Sequence, residues 1–290
     1  MKRGADKCVQ NVGVRLQISS LQHRQLLEGT GLFNLPAMKN FVQMFSAFTG
    51  AVLAGLSCAG VVEARVQDEI EVDVELVLAV DISYSVDEEE AQRQREGYVA
   101  ALASEDVIRS IQGGPLGRIA VTYVEWADSG YQRAAADWTI ISDEEDALNF
   151  AARVAAAPLE RGHYTAIGSA IANSVQRIEN NGYTSHRRII DISGDGPQNQ
   201  GMPLTDAHEL AREAQVVING LPVISDRVGR WVRPVELHLD EYFDENVIFG
   251  PGAFVLPARS EQEFRQAILR KLVIEIAGAA PSREELGRAP

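Results

Sequence analysis

Cysteine is nearly absent. The 290 residues contain only Cys8 and Cys58, too few for a disulfide framework or a multi-cysteine zinc site. Basic side chains are scarce as well. Against 41 Asp and Glu stand 27 Lys and Arg, for a formal net charge of −14 and a sequence pI of about 4.9. Nucleic-acid binding depends on basic surface, so this balance excludes a partner gripped through its phosphates. There is no G-x-G-x-x-G, no G-x-x-x-x-G-K-[ST] and no G-x-S-x-G elbow. Dinucleotide, P-loop and serine-hydrolase chemistry therefore have no footing in the sequence. What is present is ordinary globular material, 46% hydrophobic and 23% charged. The length suffices for one or two domains with a real core, and this composition excludes wholesale disorder.

One stretch lacks charge altogether. Between Lys39 and Glu63 the chain reads as an apolar run that ends in small residues before Val62-Glu63-Ala64. A basic start, an apolar middle and a small-x-small end predict a secretory signal peptide over residues 38–64, cleaved near Ala64. The competing reading is an uncleaved membrane anchor, since the run exceeds the roughly 20 residues that span a bilayer. Its Gly-, Ser- and Ala-rich second half weighs against that. A lipoprotein signal at Leu56-Ser57-Cys58 is weakened by Gly55, where such signals usually carry an aliphatic residue.

Residues 1–37 are expected to be a start-site extension ahead of Met38, or a disordered leader. Residues 1–64 carry six basic and three acidic side chains, so the 226 that remain hold 21 basic against 38 acidic, a net charge of −17. The expected product is a cysteine-free acidic domain in the periplasm or secreted, touching membrane only through its signal peptide or an uncleaved anchor.

The remainder reads as alternating strands and helices. Val74–Val80 is a continuous apolar run, typical of a strand buried on both faces. A polar helix follows from Asp87 to about Ala103, its acids at the positive end of the helix dipole. Gly117–Trp126 is β-branched and aromatic, hence a strand, and Trp138–Ile141 reads as a short edge strand. Ser142 and Glu145 form an expected capping box for a helix ending before Pro158. Thr165–Ile178 spaces its apolar residues along one helix face. Arg188–Ser193 is another buried strand, Asp206–Ala214 a helix and Val216–Ile224 a strand. Phe249–Leu256 is a candidate last strand before a helix from Ser260 to about Ile276. The pattern predicts a single α/β domain over residues 65–278: a doubly wound, mostly parallel sheet with helices on both faces. A flexible tail, 279–290, would follow.

Three short motifs fall where such sheets bind ligands, beyond the C-terminal strand ends. Asp81-Ile82-Ser83-Tyr84-Ser85 follows the first strand, Thr165 stands at a helix entrance, and Ser193-Gly194-Asp195-Gly196 ends the Arg188 strand. Asp81, Asp195, Ser83, Ser85 and Thr165 supply only hard oxygen donors, a set suited to Mg²⁺ or Mn²⁺ rather than Zn²⁺. Singly, each has a plainer role: the serines and Thr165 as helix caps, Asp195-Gly196 as a turn. The acidic runs Asp87–Glu90, Asp143–Asp146 and Asp240–Glu245 read as solvated faces, and Trp126 and Trp138 as packing.

The order D-x-S-x-S, loop threonine, then (S/T)-G-D-G at a strand end resembles the von Willebrand factor type A (vWA) family, in particular its exported bacterial members of uncharacterised role. The resemblance implies a Rossmann-like fold with a metal-ion-dependent adhesion site (MIDAS) holding Mg²⁺ through Asp81, Ser83, Ser85, Thr165 and Asp195. It further implies a partner protein whose Asp or Glu carboxylate completes the coordination, with no catalysis. The chain departs from the family pattern in one respect: the threonine commonly follows glycines, whereas here it follows Arg161-Gly162-His163-Tyr164. His163 and Asn199 are expected at the ligand rim. The alternatives are a Mg²⁺-dependent phosphohydrolase with Asp81 as nucleophile, and a degenerate vWA scaffold without metal. The first lacks the usual second aspartate two residues on, where Ser83 stands.

Overall fold

The computed structural model describes residues 69–86, 88–224 and 238–278. The expected signal peptide, the leader before it and the tail lie outside these residues. In chain order the elements are β1 (Ile70–Glu71), β2 (Glu75–Asp81), α1 (Glu88–Leu102), α2 (Glu105–Gln112), β3 (Ile119–Trp126), β4 (Gln132–Ile141) and α3 (Glu144–Ala156). Then come α4 (Ile167–Glu179), β5 (Tyr183–Thr184), β6 (Arg188–Gly194), α5 (Leu204–Glu213), β7 (Val216–Pro222), α6 (Leu239–Asn246) and α7 (Glu261–Ala277).

Five strands form one sheet in the order β4-β3-β2-β6-β7, and β1 pairs with β5 in a separate two-residue ladder. All pairings in the main sheet are parallel except β3 with β4. Every residue of β2 and of β3 is buried, as expected of largely apolar strands covered on both faces; the polar members Glu75, Asp81, Thr122 and Glu125 are buried with the rest. Two cores result. One packs β2, β3 and β4 against α1, α2, α3 and α7 through Leu76, Leu78, Tyr98, Phe150, Phe264 and Ile268. The other packs the opposite face against α4, α5 and α6 through Val77, Ala79, Trp126, Ile171, Ile192 and Phe243. The fold is thus α/β and doubly wound, as the alternation of elements implied.

Several local expectations are corrected. The edge strand β4 is longer than Trp138–Ile141. Its first half, Gln132-Arg-Ala-Ala-Ala, is poor in β-forming residues, yet it extends the hairpin from β3, with register shifts between Val121 and Val124. The α3 cap shifts by one residue. Asp143 rather than Ser142 accepts the first-turn N–H, from Asp146 at 2.9 Å, and the Asp146 carboxylate receives both the N–H and the hydroxyl of Ser142. Phe249–Leu256 is not a strand. Gly250 and Gly252 take positive φ around Pro251, which breaks any regular ladder, and only isolated bridges join Phe249, Val255 and Ala258 to the outer side of β7 and to Val223. Helices α2 and α6 carried no clear sequence signal.

The acidic runs of α1 and α3 lie at their first turns, where negative charge meets the helix dipole; in α6 only Asp240 and Glu241 do so, Asp244 and Glu245 falling near its other end. Asp87 is outside the described residues. Trp126 is fully buried and Trp138 packs against the second core. No helix among the described residues is long and apolar enough to cross a membrane.

Candidate functional site

The central strands β2 and β6 run side by side, Val80 opposite Ser193. Beyond them the chain diverges, from β2 to α1 on one face and from β6 to α5 on the other. Such a switch point leaves a crevice at the strand ends. Asp81 is the last residue of β2, and Gly194 the last of β6.

Four of the five predicted residues form one chain of contacts there. The N–H of Ser83 donates to Asp81 Oδ1 at 2.7 Å, the hydroxyls of Ser83 and Ser85 lie 2.9 Å apart, and the Ser85 hydroxyl donates to Asp195 Oδ1 at 2.6 Å. Asp81 is 1% exposed and its Oδ2 has no hydrogen-bond donor. Burial pushes its carboxyl well above the usual range, and the negative charge of Asp195 pushes it further; the Ser83 N–H and hydroxyl and the Asp195 backbone offset this only in part. The approach is close: a Cβ on Gly194 would sit 3.2 Å from Asp81 Oδ2, which is why glycine suits the strand end.

Thr165, buried at 4% exposure, lies in the loop before α4, which is tied to the other two motifs through backbone contacts. On one side that loop is joined to the first motif. Gly162 bridges to Ser83, and its N–H donates to Ile82 O at 3.2 Å. A Cβ at Gly162 would meet the Ala127 methyl at 2.2 Å, so no other residue fits. On the other side it is joined to the third motif. The Thr165 N–H donates to Asn199 Oδ1 at 2.9 Å, and the Asn199 N–H donates to Thr165 O at 3.0 Å. Asn199, expected only at the rim, therefore also spends its side-chain oxygen on holding the loop. Gln198 docks the same segment on α4, accepting the Gly168 N–H at 2.6 Å.

His163 is exposed, its ring edge-on to Tyr84 at 4.4 Å and 6.4 Å from Tyr164. The sequence reading missed the two tyrosines, 52% and 51% exposed. Their signal was available: each is the immediate neighbour of a site hydroxyl. It also missed Arg161, whose guanidinium lies 4.9 Å over the Tyr84 ring.

A cation fits this arrangement on two grounds. A buried carboxylate oxygen without a donor is costly unless a charge or proton compensates it, and a second carboxylate close by compounds the cost. Among the described residues no three His, Cys, Asp or Glu side chains gather, so any ion here depends on the hydroxyls. That favours a hard ion with open positions over tightly caged zinc.

The fold is of the vWA type. Proximal thread matrix protein 1 of the mussel byssus, solved with a zinc-occupied MIDAS motif, superposes with a TM-score of 0.52 at 17% identity, over 72% of this chain and 49% of that one. The pilus adhesin SpaC from Lactobacillus rhamnosus GG gives 0.50 at 13% identity, over 72% and 31%. A von Willebrand factor type A structure from Catenulispora acidiphila gives 0.49 at 15%, over 71% and 43%. The chain thus spans about half or less of the length of these structures. No curated protein matches it. Residues 71–280 match a family described as a protein of unknown function, DUF1194, and the chain belongs to that family.

Proposed function

We propose that the chain is an exported protein-binding module that holds Mg²⁺ at an adhesion site and receives on it an Asp or Glu side chain of a partner protein. Asp81, Ser83, Ser85, Thr165 and Asp195 would hold the ion, with Mn²⁺ as an acceptable substitute. The single observation that carries this reading is the buried, donorless oxygen of Asp81 beside Asp195 and two linked hydroxyls. The zinc-occupied MIDAS of the mussel protein supports it by likeness of fold. With two carboxylates and neutral hydroxyls, the donor set leaves the ion partly positive, able to take one more anionic oxygen. The domain itself is acidic, so the partner's surface around that carboxylate is expected to be neutral or basic. Exposed Tyr84 and Tyr164 would supply contact area beside the ion. Export follows from the predicted signal peptide, with release at Ala64 leaving the domain from residue 65.

No observation favours the hydrolase alternative. Asp81 is buried and holds its proton more tightly than an ordinary carboxyl, a poor start for a nucleophile. The test is calorimetric titration of the exported form with Mg²⁺ and Mn²⁺ beside an Asp81→Ala variant, then capture from envelope extract with and without EDTA. Saturable metal binding lost in the variant, with EDTA-sensitive capture, is the expected result. Identical metal binding by both proteins would end the adhesion-site reading, and Asp81-dependent phosphatase turnover would replace it.

A further inference from the structure

The segment before Thr165 is where the chain departs from its family pattern, and a charged side chain stands there. Arg161 Nη2 donates to the carbonyl of Tyr84 at 2.8 Å and also to the carbonyl of Val86. These two carbonyls bracket Ser85, the residue whose hydroxyl reaches Asp195. The guanidinium also covers the Tyr84 ring at 4.9 Å, and His163 meets that ring edge-on. The next residue, Gly162, is bonded to Ile82 O and paired with Ser83. Two consecutive residues of the threonine loop thus grip all of 82–86.

From this geometry we infer that Arg161 is a positioning residue. It clasps the threonine loop to the serine turn, so that the hydroxyls of Ser83, Ser85 and Thr165 are held in place before an ion arrives. The inference rests on the metal-binding reading above. A planar fork suits the task, because one guanidinium can serve two carbonyls and stack on a ring at once. Groups that orient metal ligands in this way typically contribute 10- to 100-fold in affinity.

The sign of the effect separates a clasp from plain electrostatics. Arg161 brings positive charge close to where a cation would sit, so its removal should tighten cation binding by Coulomb's law alone. A clasp requires the opposite. The experiment titrates the exported form and its Arg161→Ala and Arg161→Lys variants with Mg²⁺ and Mn²⁺. Alongside, amide hydrogen exchange over residues 82–86 and the melting temperature are measured in EDTA.

Expected are a loss of about 10-fold or more in metal affinity for Arg161→Ala and an intermediate loss for Arg161→Lys. Exchange should accelerate within 82–86 only, and the melting temperature should stay within about two degrees of wild type. Unchanged or tighter metal binding by Arg161→Ala overturns the clasp. So does weaker binding accompanied by faster exchange throughout β2 and β6, since that marks a general loss of fold. Wild type binding neither metal would sink the adhesion-site reading instead. The exchange measurement then decides alone: localised acceleration upholds Arg161 as the residue ordering the turn, and no acceleration overturns it.

Discussion

Two carboxylate clusters lie four residues apart, one inside β6 at Asp191 and one just past its end at Asp195, and their surroundings differ. Asp191, mid-strand, lies 2.7 Å from Lys271 Nζ, which also reaches Glu275 at 2.5 Å. Asn219 donates to Glu275 at 2.8 Å and accepts the Phe254 N–H, and the ammonium sits 5.5 Å from the Phe254 ring. Both Lys271 and Asp191 are wholly buried. At the strand end, Asp81 Oδ1 accepts the Ser83 N–H and Asp195 Oδ1 accepts the Ser85 hydroxyl, while Asp81 Oδ2 has no donor. The interior cluster brings its own cation on α7, whereas Asp81 accepts the Ser83 N–H on one oxygen and has no donor on the other. The same residue type thus meets a built-in ammonium in one place and a backbone N–H and hydroxyls in the other.

The sharpest way to break this contrast is Lys271→Met. It leaves two buried carboxyls without their cation, and the expected loss is about 3–5 kcal/mol in urea unfolding, not restored by Mg²⁺. If Mg²⁺ did restore it, the clusters would not be separate.

The next test is pH. Burial, chiefly, raises Glu275 to about 7 from its ordinary 4.5, with Lys271 opposing and Asp191 adding to the rise. The folded protein therefore binds this proton more tightly than the unfolded chain does. Its contribution is fully present below pH 4.5 and is lost as pH rises through about 7, a change of up to about 3 kcal/mol. Urea midpoints in EDTA should fall across that window, and Glu275→Gln should flatten the fall.

At the strand end, Asp81→Asn removes an uncompensated buried carboxyl. In EDTA it should stabilise the protein by about 1–2 kcal/mol. Saturating Mg²⁺, which should add about 2.7 kcal/mol to wild type at 100 times the dissociation constant, should add nothing to the variant. A destabilised variant in EDTA would mean that Asp81 is satisfied by the fold after all.

The smallest expected effect is that of Tyr164→Ala. Half exposed, it should change stability by less than about 0.5 kcal/mol and leave Mg²⁺ titration unaltered while reducing partner capture. Equal capture would remove the rim from the contact surface.

The architecture was legible because β2, β3 and β6 are dominated by apolar residues on both faces, a signal that survives without any partner information. The strand-end motifs were legible for the same reason: once the strand is fixed, Asp81 and Asp195 can only lie at its end. Less legible was whatever depends on a single side chain meeting distant backbone. Arg161 is one charge in an irregular loop with no period to betray it, and Asn199 holds Thr165 across 34 residues of sequence. Helix α2 is eight residues long with two buried side chains, too short for its pattern to stand out. Lys271 and Glu275 read as an ordinary i,i+4 pair. The clue was the apolar company of the Lys271-Leu-Val-Ile-Glu275-Ile276 stretch, which implies burial.

The segment 249–258 has a further consequence. A sheet border with unused amides is a template on which other chains can polymerise. Phe249 and Val255 bridge to β7, and Ala258 to Val223 just past it, while Gly250 and Pro251 prevent the segment from becoming a regular strand that would offer the same template again. At the opposite border β4 has shifted register and carries Arg133 and Asp137. One border of the sheet is thereby covered by a failed strand and the other carries charge, two ordinary safeguards against edge-to-edge pairing.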